Sequence, residues 1–157
     1  MTDATASTLL AAARERLRGS PQERLGEAVA PRRVFGLGRA ARVVPVHEAW
    51  HVGVLLLSDD AAFATGEIIR AQSEAIRGFT AESQRARAEL AAAARRGGFG
   101  EGEVVHLAWQ PLDIPLVDRG GTSGPLSVAG GVVHVRWSAA GATRPLADYL
   151  AEQLSLR

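Results

Sequence analysis

Between Thr8 and Leu17 the apolar residues Leu9, Leu10, Ala13 and Leu17 recur at three- and four-residue spacing, which predicts a helix ended by Gly19. Ser20-Pro21-Gln22-Glu23 has the form of a capping box with proline in the first turn, so a short second helix is expected to about Ala30, ended by Pro31. From Val34 the spacing changes. Val, Leu and Ile dominate the next forty or so residues, broken by Gly36, Gly38, Pro45 and Ser58-Asp59-Asp60, and strands are expected near 40–46, 50–58 and 61–70, with Asp59-Asp60 in a hairpin turn. Thr80-Ala81-Glu82 opens a long helix that runs to Arg96 through Ala86, Leu90 and Ala93 or Ala94 and is stopped by Gly97-Gly98. Weak alternation from Val104 to Trp109 reads as another strand. Leu126 to Ala129 and Val132 to Trp137 flank Gly130-Gly131, the two-residue signature of a tight hairpin. Thr143 to Leu154 closes the chain as a helix with Leu146, Tyr149, Leu150 and Gln153 to Leu154 marking a core face.

These elements predict an α+β fold, a single domain of mainly antiparallel β-sheet with packed helices. Its parts are an N-terminal helical segment over 5–30, sheet and long helix over 33–138 and a C-terminal helix over 143–154. At 157 residues the chain has the length of one domain, able to bury about 70% of its unfolded surface. No linker, repeat or low-complexity tract divides it. Gln110 to Pro125 holds three prolines and Gly120, Gly121 and Gly124, too broken for a regular element and long for a loop in a compact domain. Such loops carry function, so a partner is expected to meet this one or an exposed sheet edge. Removing residues 112–124 is then expected to leave folding cooperative.

Composition narrows the chemistry. Eighteen basic against 17 acidic residues leave a net charge of +1, which gives no strong field for nucleic acid or an anionic membrane. Every basic side chain is arginine, and lysine, cysteine and asparagine are absent. There is therefore no thiol nucleophile, disulfide, cysteine metal ligand or lysine Schiff base. The longest apolar run, Val52 to Leu57, is far below the roughly 20 residues that span a bilayer, and Met1-Thr2-Asp3 lacks the basic start of a signal peptide. A cytoplasmic location is expected, and a homo-oligomer is compatible with the composition.

His47-Glu48-Ala49-Trp50-His51 matches H-E-x-x-H, in which two imidazoles bind zinc and the glutamate polarises the attacking water. Both nitrogens must lie about 2.1 Å from one ion, which a helix permits because residues four apart stack on one face. On a strand the same four residues cover roughly 13 Å. Val43, Val44, Val46, Val52 and Val54 favour a strand here, Gly53 weakens a helix, and Pro45 confines any helix to starting beside it. Glu67 or Glu74 could serve as third ligand, but neither sits in a companion motif. Extended backbone with two partly exposed histidines is the expectation; a zinc site of His47 and His51 with Glu48 as catalytic base is the alternative.

Gly36-Leu37-Gly38-Arg39-Ala40-Ala41 fits the dinucleotide-binding G-x-G-x-x-A, with Asp59 some twenty residues on. The preceding Pro31-Arg32-Arg33-Val34-Phe35 is short and charged for a buried first strand and Pro45 interrupts the helix that should follow, so glycines in a turn are expected instead. Gly97 to Gly102 follows a helix and precedes a strand, the reverse of a phosphate-cradling loop. Arg14, Arg16 and Arg18, and Arg85, Arg87, Arg95 and Arg96, lie among glutamates and read as solvated, ion-paired faces. His106 and His134 read as structural histidines within strands, and Trp109 and Trp137 as covers for the core edge.

Val52 to Leu57, Ala64-Thr65-Gly66-Glu67, Gly78 to Ser83, Arg96 to Phe99, Gly102 to His106 and Arg136 to Gly141 together resemble a family of short, uncharacterised actinobacterial proteins often labelled glutaminases. The resemblance covers nearly the whole chain and implies no established catalytic residue. The label itself meets chemical obstacles. Serine-type glutaminases need Ser-x-x-Lys, amidotransferase-type hydrolysis needs a cysteine thiolate, and the threonine-based enzymes rely on a lysine. A mechanism through Thr122 or Ser123 with a histidine is the residual route, and no triad assembles in the sequence. The reading reached is a binding or interaction domain for a protein or small-molecule partner with no cofactor; the alternative is a hydrolase, zinc-dependent through His47, Glu48 and His51 or acting on amides.

Overall fold

A computed structural model describes residues 4–30, 33–34, 37–38, 40–73 and 81–157. In chain order its elements are α1 (Ala6–Leu17), β1 (Glu23–Val29), β2 (Arg33–Val34), β3 (Leu37–Gly38), β4 (Arg42–Val52), β5 (Leu55–Leu57), β6 (Ala62–Ala64), β7 (Glu67–Arg70), α2 (Glu82–Gly97), β8 (Val104–Leu107), β9 (Gln110–Pro111), α3 (Ile114–Asp118), β10 (Leu126–Ala129), β11 (Val132–Arg136), β12 (Thr143–Pro145) and α4 (Leu146–Ser155). The fold is α+β, and of the described strand pairs with a stated register all are antiparallel except β1 with β8. The chain forms two compact units interleaved in sequence. One comprises Met1–Gln22, Ala49–Thr65 and Gln110–Arg157, the other Glu23–Glu48 and Gly66–Trp109.

In the first unit α1 forms as its spacing dictates. The Thr5 side chain accepts the Thr8 N–H at 3.2 Å as N-cap, and Ala6, Leu10, Ala13 and Leu17 make the buried stripe. That stripe shares a core with Trp50, Leu55, Leu57, Val117, Val135, Leu146 and Tyr149. β4, β5 and β6 follow as consecutive hairpins, Trp50 facing Leu57 and Leu56 facing Phe63. The strand expected over 50–58 is divided at Gly53, whose φ of +61° suits glycine, and the Val54 N–H leaves the ladder to donate to the Tyr149 hydroxyl at 2.9 Å. Asp59-Asp60 forms the expected turn, closed by Ser58 N–H to Ala61 O at 2.9 Å. The Gly130-Gly131 hairpin joins β10 to β11 as its sequence requires. Thr143 to Pro145, expected to be helical, pairs with β11 instead, because Pro145 cannot extend a helix backward and β11 offers it an edge.

In the second unit the strand order is β7-β8-β1-β4. The helix expected over 20–30 is a correction: Glu23–Val29 is strand β1, paired in parallel with β8 through Arg24 with Val105 and Leu25 with His106. A local capping signal is outweighed by sheet pairing, and Gly26 shows why. A Cβ there would lie 2.6 Å from Val43 Cγ1 and 3.1 Å from Val105 Cγ1, so this position serves close strand packing, whereas in a helix it would cost about 1 kcal/mol. α2 lays Ala93 and Ala94 into a core with Val43, Ile69, Ala71, Phe99 and Val105. Gly98, left-handed at φ 114°, ends it, and the Phe99 N–H returns to Ala94 O at 3.0 Å.

Arg24 ties this unit across its sequence. Its Nε and Nη2 each donate to Glu103 at 2.6 Å, and its guanidinium lies 4.8 Å from the Phe99 ring centre. The Arg24 hydrogen bonds hold the Glu103 carboxyl below its ordinary pKa, reinforced by the Gly100 N–H. A carboxylate depressed on folding stabilises fully above the unfolded value of about 4.3, and the contribution fades as pH falls through the lower folded value. Glu103→Gln is therefore expected to lower stability by about 1 kcal/mol at pH 7, the pair being partly exposed. Urea midpoints of the two proteins should converge below about pH 4; a gap unchanged down to pH 2 would show that charge plays no part.

Candidate functional site

The H-E-x-x-H residues all lie on β4, so the backbone is extended through the motif. His47 and Glu48 belong to the second unit and His51 to the first. His47 and Glu48 are exposed and His51 is half-buried. The His47 ring meets Trp109 edge-on, with centres 5.4 Å apart, and His51 Nε2 lies 2.9 Å from Gly53 O. Four residues of strand separate the two histidines by roughly 13 Å of rise, against about 2 Å from each nitrogen to a shared zinc. Glu48 contributes to the negative field at Arg24. Of the proposed third ligands, Glu67 is exposed on β7 with Arg87 Nε 3.7 Å away, and Glu74 lies outside the described residues.

The other sequence candidates divide similarly. Gly36 and Arg39 of the G-x-G-x-x-A stretch lie outside the described residues, while Gly38 pairs with Arg33 in the β2–β3 ladder. Buried His106 places Nε2 3.2 Å from Glu23 Oε1, and His134 Nδ1 lies 2.9 Å from Val132 O. Trp109 donates Nε1–H to Gly26 O at 2.9 Å and is half-buried, whereas Trp137 is 48% exposed past the end of β11. Several of the arginines find partners beyond their own helices: Arg95 pairs with Glu101 at 3.1 Å and Arg96 donates to Ala41 O, while Arg18 pairs within its helix region, with Glu15 at 2.8 Å.

Gln110 to Pro125 corrects the expectation of a segment too broken for a regular element. β9 pairs with β6, and Asp113 caps the short helix α3 by accepting the Leu116 N–H at 3.0 Å. Val117 is fully buried in the core, and Ser123 Oγ accepts the Asp113 N–H at 2.8 Å. Ser123 thus closes a turn. Five residues of helix with Pro115 in the first turn are too short for periodicity to reveal.

Two concavities stand out among the described residues. In the first unit a cleft of about 600 Å³ is lined by Ala11, Arg14, Glu15, Arg18, Trp50 and Asp59. Its size suits a small ligand, but its donors are occupied: Arg14 donates to Ser58 O at 2.7 Å and Ala61 O at 3.0 Å, and Trp50 to Ser20 O at 3.0 Å. Burial lowers the Arg14 pKa, opposed by Asp60 and Asp59, and the guanidinium stays charged. This cleft is braced against itself.

In the second unit a groove of about 280 Å³ runs between β7 and α2, lined by Ile69, Arg70, Gln72, Gln84, Arg87, Ala88 and Ala91. Sequence reading missed it because its residues come from two elements and form no motif. The available signal was Arg87 lying three residues beyond Gln84 on one helical face. β7 is the last strand of its ladder, with no strand beyond it among the described residues. The Ala71 N–H and C=O bond to Glu103 and Gly102 at 2.9 and 2.7 Å. By alternation the backbone groups of Ile68, Arg70 and Gln72 face the other way, toward the groove side. Gln72 confirms the phase by donating its N–H to Ala91 O at 3.2 Å.

No family model, curated protein or solved structure matches the chain. The class α+β therefore rests on the elements themselves. Among the described residues no helix is long and apolar enough to cross a membrane.

Proposed function

We propose that this chain is a non-catalytic binding domain whose partner docks on the second unit. The carrying observation is the groove beside β7, because among the described residues its lining holds arginine, glutamine and apolar side chains but no hydroxyl, carboxylate or imidazole. Those side chains recognise; none is a nucleophile or a general base at neutral pH. The extended backbone through His47 and His51 counts against the zinc hydrolase alternative. Kinship with the glutaminase-labelled family and a cytoplasmic setting belong to the same proposal, without the chemistry of the label.

Elemental analysis of purified protein, followed by ammonia release from glutamine with and without a chelator, tests this reading. Substoichiometric zinc and no ammonia above a buffer blank are expected. Zinc near one equivalent per chain, or chelator-sensitive ammonia release, would overturn it.

A further inference from the structure

We draw no further inference here: the strongest candidate, the pair formed in the second unit by buried His106 on β8 and Glu23 on β1, whose Nε2 and Oε1 lie 3.2 Å apart, offers one imidazole and one carboxylate within that unit, too few ligands to define a metal site.

Discussion

Gly97→Ala lowers the melting temperature by roughly 6–12 °C, although alanine is the better helix former by about 1 kcal/mol. A Cβ at Gly97 would lie 1.6 Å from the Val43 carbonyl oxygen and 2.4 Å from its carbon, so the clash is with backbone. Flexible side chains yield by rotating; a strand does not. Val43 is 1% exposed, and Arg96 fixes the preceding turn by donating to Ala41 O at 3.0 and 2.9 Å. Overpacking against an immobile neighbour costs at the upper end of the usual range, about 3 kcal/mol net. Gly100→Ala is the control, since its Cβ would meet only the Glu103 carboxylate at 3.5 Å, and it should stay within about 0.5 kcal/mol of the native chain. Thermal melts by near-ultraviolet circular dichroism compare the three proteins; a Gly97→Ala melt equal to the native one would refute the close approach of α2 to β4.

Deleting residues 112–124 has a larger effect, and one opposite to that expected of a dispensable loop. The ends of the segment meet, with the Asp113 N–H on Ser123 Oγ at 2.8 Å, so rejoining the chain is geometrically feasible and loop closure changes little. What is lost is burial. Val117 is fully inside the core, Leu112 and Ile114 pack against it, and the Leu112 N–H to Ala62 O bond at 2.9 Å goes with them. Asp118 also accepts from the backbone and hydroxyl of Ser7, tying α3 to the start of α1. At about 1.5–3 kcal/mol for a fully buried aliphatic side chain, less for half-buried ones, the loss is on the order of 5 kcal/mol. Whole domains have only about 5–15 kcal/mol to lose. The shortened chain should show no cooperative melt above about 35 °C, or a midpoint depressed by more than 10 °C; an unchanged midpoint would return the segment to the status of a surface loop.

Much of the architecture was legible where the deciding forces are local. The stripe of α1, the Gly98 cap of α2 and the Gly130-Gly131 hairpin each depend on residues within a turn or two of one another. The extended character of His47 to His51 was legible too, because Pro45 and the flanking valines act on the backbone directly. β1 was not. Its partner in β8 lies some eighty residues away, and a well-formed capping signal at Ser20 to Glu23 carries no information about that distant edge. The β7–α2 groove was hidden for the same reason. Ile69 and Ala88 come to line one groove only once β7 packs beside α2, which no window of sequence discloses.

The interleaving of the two units has a genetic corollary. The chain passes from one to the other at residues 22–23, 48–49, 65–66 and 109–110, and the second passage falls inside β4. No single cut in the gene yields either unit as an uninterrupted open reading frame, and recombination at one junction cannot export either whole. Either unit must therefore be produced from the gene as joined pieces, not as one truncated stretch.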